Sequence, residues 1–165
     1  MSDLDLREDL EDDEDTLKDR FLTFRLGEEQ YGIEIRHVTE IVGIQRITEV
    51  PDMPASIKGV INLRGQVIPV MDVRLRFRLP PREYDERTCI VVVALAEISV
   101  GLIVDQVEEV REIPAGNVSP PMHVGQTAAG RCVQGLGRVG EEVKILLDVS
   151  KLVCEQELAA VVSST

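Results

Sequence analysis

Residues 135–140, GLGRVG, have the GxGxxG spacing that brings a backbone close to a pyrophosphate. That chemistry needs a strand before the motif and a helix opening within it, so that the helix N-terminus faces the phosphates. Here the strand-like run EEVKILLD follows, so Gly135 to Gly140 read as a glycine-rich β-turn. A dinucleotide-binding enzyme resting on these residues is the weakest function the sequence admits. His37 sits in a strand-like run beside charged neighbours, and His123 lies in a Pro-rich loop. Neither belongs to a recognisable pairing of acid with base or of nucleophile with base, as catalysis would require. Cys89, Cys132 and Cys154 are odd in number and lack CxxC spacing, which fits reduced thiols rather than a disulfide framework or a zinc site. The residues therefore predict no catalytic centre, no cofactor and no metal. Arg74, Arg76 and Arg78 alternate; on an extended segment they would share one face, a solvated edge that discourages strand addition, offset by Glu83, Asp85 and Glu86.

The charge distribution narrows the partners. The net charge is −12 over 165 residues, and residues 1–20 hold ten acidic side chains against Arg7, Lys18 and Arg20, a net of −7. A like-charged run with so few apolar residues does not offset its ordering entropy, so 1–20 is expected to be a disordered, solubilising tail. An acidic chain repels phosphate backbones and anionic headgroups, which argues against nucleic acid and membrane surfaces as partners. The longest apolar stretch, Cys89 to Val104, is broken by Glu97 and is short for a bilayer. No secretory signal pattern opens the chain, so the expectation is a cytoplasmic protein without membrane insertion.

From Phe21 the chain becomes short apolar or alternating runs between turn signals: FLTFRL, QYGIEI, IKGVINL and QVIPVMDV. Aromatics are only 3% and Trp is absent, so the core must come from Val, Ile and Leu, which favours sheet. The chain also repeats itself. YGIEIRHVTEI (31–41) aligns without a gap on VGLIVDQVEEV (100–110), matching Gly32 with Gly101, Val38 with Val107, Glu40 with Glu109 and Ile41 with Val110. KGVINLRGQVIPVMDV (58–73) likewise answers VQGLGRVGEEVKILLDV (133–149), pairing Gly59 with Gly135, Gly65 with Gly140 and Asp72 with Asp148. A repeat of about 70 residues exceeds a solenoid unit and suits a duplicated small β-barrel. Pro80 and Pro81 in RFRLPPREYDER mark the linker. Asp72 and Asp148 each follow a strand and are placed to cap short helices, with Ser150 or Asp148 opening a C-terminal helix over 150–165.

EQYGIEIRHVTEIVG, IKGVINLRGQVIPVMDVR, VGLIVDQVEEV and GLGRVGEEVKILLDVSKL, in this order and spacing, resemble the CheW family of chemotaxis coupling proteins, from about Phe21 to Leu152. INLRG followed by an apolar run ending in an acid is the most specific element. The resemblance implies an all-β fold of two pseudo-repeated, SH3-like, five-stranded barrels packed together with a short C-terminal helix. In this reading 21–152 form one domain with intertwined halves, about 21–80 and 88–149. It further implies a non-catalytic adaptor between the cytoplasmic tip of methyl-accepting chemoreceptors and the regulatory domain of the histidine kinase CheA, held at the inner face of the membrane in receptor arrays. Further copies of the chain in rings are also implied. The receptor helix would lie in an apolar groove formed by Val38, Ile41, Val104 and Val107, with Gly59 permitting close approach and Glu40 and Arg64 fixing the groove. Read without the resemblance, the four apolar residues are better read as core. Kinase contacts would involve Ile47 in GIQRITEVP and Val124 in the Pro-rich loop, where the family often carries a larger side chain. A paralogous chemosensory pathway, for example one controlling pili, would use the same contacts.

Overall fold

The computed structural model describes residues 17–95, 98–121 and 131–153. Of the expected disordered tail over 1–20, residues 1–16 lie outside them, as do the closing helix beyond residue 153, His123, Val124 and Cys154; residues 17–20 are ordered, because Leu17 packs against the core and its carbonyl accepts from the Arg20 N–H at 3.3 Å where the first strand begins.

The apolar runs fold as hairpins. β1 (Arg20–Leu26) and β2 (Glu29–Glu34) pair antiparallel, a 3₁₀ turn at Ile35–His37 follows, and β3 (Val38–Gly43) comes next. β4 (Ile57–Leu63) and β5 (Gln66–Asp72) form a second hairpin, closed by helical turn α1 (Val73–Arg76). After the linker, β6 (Cys89–Leu95) and β7 (Ile98–Val104) form a third hairpin, and β8 (Gln106–Glu112) follows. A two-residue β9 (Val118–Ser119), the hairpin β10 (Val133–Val139) and β11 (Glu142–Leu147), and the turn α2 (Val149–Leu152) complete the order. Asp72 accepts from the backbone N–H of Arg74 and Leu75 at the start of α1, and Asp148 accepts from that of Ser150 at the start of α2, so both acids act as helix caps.

The strands make two sheets, β8-β1-β2-β11-β10-β9 and β3-β6-β7-β5-β4. They are the two SH3-like barrels, each of five principal strands, with β9 adding two residues to the first. The hairpins are exchanged between the repeats. β1–β2 lies among strands of the second repeat, and β6–β7 lies among strands of the first. Each exchanged hairpin enters through a parallel pairing, Gly32 opposite Leu146 in one sheet and Gly101 opposite Val70 in the other. The repeat's matched glycines are explained there. A Cβ on Gly32 would stand 3.0 Å from Leu146 Cδ2, and one on Gly101 would stand 2.8 Å from Val70 Cγ1. Because of the exchange the main core is shared: Leu22, Phe24 and Ile33 of one sheet pack in one cluster with Val91, Val93 and Leu102 of the other.

The arginine stripe is corrected by α1. Residues 73–76 are helical, so Arg74 and Arg76 do not line an edge. Arg74 Nη1 donates to Asp105 Oδ2 at 2.6 Å, and Arg76 Nε donates to the Leu152 carbonyl at 3.1 Å. The linker is pinned as well, with Tyr84 donating its hydroxyl to Asp72 Oδ2 at 2.7 Å.

Candidate functional site: an apolar strip on two edge strands

Among the described residues β3 and β8 each end a sheet with one side unpaired, a side that a partner can cover. Both carry a bulge at the same place. β3 shifts register against β6 between Val38 and Glu40, and β8 shifts against β1 between Glu109 and Val107. Threonine hydroxyls hold the two irregular stretches, Thr39 Oγ1 donating to the Val92 carbonyl at 3.1 Å and Thr23 Oγ1 donating to that of Glu109 at 2.9 Å. A bulge re-aims the side chains beyond it. Val38 therefore faces inward at 8% exposure, whereas Ile41 is only partly buried.

This divides the expected groove. Val104, 1% exposed, and Val38 belong to the shared core and present no contact surface, because the sheets already cover them. Ile41 and Val107 lie partly open against that same core, together with Val110 and Cys89. Cys89 lies between the two edges: it pairs with Gly43 of β3, and the Val107 backbone N–H donates to its sulfur. Burial raises the Cys89 thiol pKa, and the hydrogen bond from Val107 opposes this, so the side chain behaves as a small apolar group. Val110 was legible as the repeat mate of Ile41; Cys89 had no sequence signal beyond its place at a strand start.

A polar pair stands beside Ile41. Arg64 Nη2 of the β4–β5 turn donates to Glu40 Oε2 of β3. The arginine side chain is 70% exposed, against 14% for the glutamate, so Glu40 is anchored while Arg64 reaches outward over it. On the β8 side, Arg25 Nε donates to Glu108 Oε2 at 3.0 Å.

Gly59 serves the chain itself. A Cβ there would stand 2.1 Å from the Thr48 carbonyl oxygen and 3.0 Å from Ile47 Cγ2. Its hydrogen lets Thr48 bridge to Val60, with N–H to O distances of 2.8 and 2.9 Å. The close approach expected of a receptor is thus made by residues 47–48, and Gly59 positions the loop carrying Ile47. Ile47 is half-buried against a second core cluster that includes Ile61, Ile68 and Ile90. Gly135 repeats the arrangement, its absent Cβ leaving room for Val118 and Ser119 of β9.

Residues 135–140 form the end of β10 and its turn into β11, so strand follows strand and the helix that a pyrophosphate site requires is not formed. Among the described residues no group of three His, Cys, Asp or Glu is placed to hold a metal.

Residues 20–157 match the family model described as a CheW-like domain. The chain belongs to the CheW family. It is 39% identical over 147 residues to the chemotaxis protein CheW of Klebsiella aerogenes, covering 89% of each. It is 30% identical over 133 residues to protein FrzA of Myxococcus xanthus, covering 80% of this chain and 83% of that one. The crystal structure of the scaffolding protein TtCheW from Thermoanaerobacter tengcongensis superposes with a TM-score of 0.72 at 36% identity, over 78% of this chain and 88% of that one. The CheW-like domain thus includes both edge strands, the Glu40–Arg64 pair and the Ile47 loop. Among the described residues no helix is long and apolar enough to cross a membrane.

Proposed function

We propose that the protein is a non-catalytic adaptor that couples the cytoplasmic tip of methyl-accepting chemoreceptors to the regulatory domain of CheA in a cytoplasmic array at the membrane. The observation that carries this reading is the half-open set of Ile41, Val107 and Val110 on two edge strands with Cys89 at the start of β6, flanked by Glu40 and Arg64, in a chain of the CheW family. Such a strip suits an amphipathic helix, whose apolar side chains supply affinity while the ion pair sets register. Kinase contacts fall to the Ile47 loop and to Val124, which lies outside the described residues. Further copies of the chain can join the ring through the same contacts. Multivalent attachment then strengthens contacts that are weak one by one.

Co-sedimentation with receptor-containing membranes and CheA, while following kinase activity, tests the assignment with Arg64→Ala and Ile47→Ala. Receptor binding should fall in the first variant and kinase binding in the second, with circular dichroism unchanged. Thiol labelling of Cys89 in a Cys154→Ser background supplies an independent readout, since a seated receptor helix should slow it. Unchanged labelling together with unaffected recruitment by Arg64→Ala would remove the receptor from this strip. The similarity to FrzA favours keeping a second reading, an adaptor of a paralogous pathway such as one driving pili; preference among receptors in the same assay separates the two.

A further inference from the structure

Asp72 and Asp148 cap equivalent turns, so the residues four places before them, Ile68 of β5 and Lys144 of β11, are mates in the repeat. The register agrees: Ile68 faces Ile61 across its hairpin, and Lys144 faces Gly137 across the other. Ile68 is buried with Ile61 and Val92. Lys144 lies as deep, its side chain 5% exposed, two residues before the buried Leu146. Taking an ammonium out of water is costly unless it is paired, and the mate of this position shows that isoleucine can fill it.

The pairing of Lys144 shows what the cation serves. Its Nζ donates to Gln30 Oε1 of β2 and to Glu142 Oε2 of β11, the latter at 3.0 Å. Gln30 stands opposite Arg25 of β1, and Arg25 Nε donates to Glu108 Oε2 of β8 at 3.0 Å. β8, β1, β2 and β11 are neighbours in that order. One polar row therefore crosses four strands, with Arg25 between two carboxylates, Glu108 on β8 and Glu142 on β11. The hydrogen bond and charge of Lys144 hold the Glu142 carboxyl below its usual range, and Gln30 and the Arg25 charge act in the same direction. Glu142 thus lies in the field of Arg25 and is kept occupied by Lys144.

Glu108, where the row ends, has a special place in the register. Val107 opposes Phe24 and Glu109 opposes Thr23, so Glu108 is the extra residue of the β8 bulge. The extra residue of the β3 bulge is Thr39, which ties itself down by donating its hydroxyl to the Val92 carbonyl. An ionised glutamate can only accept, so the Glu108 side chain depends on Arg25. We propose that Lys144 is a positioning residue for the receptor-facing wall: by holding Glu142 it leaves Arg25 to Glu108, and so fixes the bulge that aims Val107 and Val110. What the wall binds rests on the adaptor reading; what Lys144 does rests on the polar row alone.

Two measurements test it, hydrogen exchange of the amides at 107–110 in the receptor-free chain and titration with receptor-containing membranes. Each compares the wild type, Lys144→Ile, and Lys144→Ile combined with Glu142→Gln. In Lys144→Ile the released Glu142 competes for Arg25. The amides should exchange about threefold faster, and the receptor Kd should rise about two- to fivefold, the range for a partly exposed ion pair. Both should return to wild-type values in the double variant, where no carboxylate competes. Equal loss in the single and double variants would show that the lysine acts by packing alone, and wild-type exchange in Lys144→Ile would show that Arg25 needs no such protection; either result overturns the proposal. A wild type that binds no receptor membrane overturns the adaptor reading instead, and the exchange comparison still decides the role of Lys144. Were Lys144→Ile to unfold, Lys144→Met, which keeps an unbranched stem, takes its place in both measurements.

Discussion

Replacing Arg64 with asparagine should separate stability from binding, because the residue sits in a conformation that suits its partner better than itself. Arg64 has φ +54° and Gly65 φ +84°, the signature of a two-residue type I′ hairpin turn, for which Asn-Gly is the preferred pair. A left-handed residue other than glycine costs roughly 1–2 kcal/mol, and asparagine recovers part of this. The substitution removes the Glu40 ion pair, but at 70% exposure for the arginine such a pair contributes only about 0.2–1 kcal/mol. The balance lies between about zero and 1 kcal/mol in favour of the variant, an upward shift in Tm of at most about 2–4 °C. Binding should move the other way. An arginine that sets the register of a docked helix is worth about 1.4 kcal/mol or more, a tenfold weaker Kd. Urea and thermal unfolding give the first quantity, and titration of receptor-containing membranes gives the second. Glu40→Gln is the companion variant, keeping the strained turn while removing the pair, and should weaken binding without raising Tm. A Tm lowered by more than about 3 °C in Arg64→Asn would show that the ion pair holds the fold and refute the stability argument. Unchanged receptor affinity would refute the placement of the site.

Three further outcomes follow from the geometry. Gly59→Ala places a methyl 2.1 Å from the Thr48 carbonyl, at φ +147°. It should cost about 2–3 kcal/mol in urea unfolding and weaken kinase recruitment more than receptor binding, since the Ile47 loop is displaced. Asp105→Asn leaves Arg74 facing a neutral group at a site where the side chains are only 13% and 9% exposed; a loss of about 3 kcal/mol is expected, measured the same way. Burial, opposed by Glu34, holds the His37 pKa below its ordinary 6.5. The unfolded chain therefore takes up that proton first as pH falls, so the stability contributed by neutral His37 is present above about pH 6.5 and is lost as pH falls from there towards the folded value. In His37→Gln that part of the pH dependence should disappear from unfolding curves between pH 7.5 and 5.

Strand identity was readable because the core is built from runs of Val, Ile and Leu between turn residues, and both helix caps were readable because an aspartate follows a strand in each repeat. Which hairpin joins which sheet was not. A repeat records chain order, and an exchange of hairpins preserves that order while altering every neighbour. The arginines at 74 and 76 misled for a related reason, since alternation fits an extended segment even though Asp72 two residues earlier is an N-cap. The groove was half legible. The bulge beyond Val38 has no sequence signature, so spacing alone could not separate buried Val38 from half-open Ile41.

The exchange also bears on how an adaptor without chemistry can transmit a signal. Under the proposed reading, receptor state alters kinase activity only through differential affinity at the interfaces. The walls of the strip are edge strands of different sheets, yet Val38 of β3 and Val104, which precedes β8, lie in one shared cluster. Close-packed interiors yield little, so moving one wall repacks residues that support the other. A receptor helix pressed against Ile41 and Val107 therefore acts on both barrels through one core. The Ile47 loop is linked to that core by a short path, because Val60, whose backbone bridges Thr48, packs against the same cluster. Under that reading receptor and kinase contacts would be coupled by shared packing, which the exchanged hairpins place between the strip and the Ile47 loop.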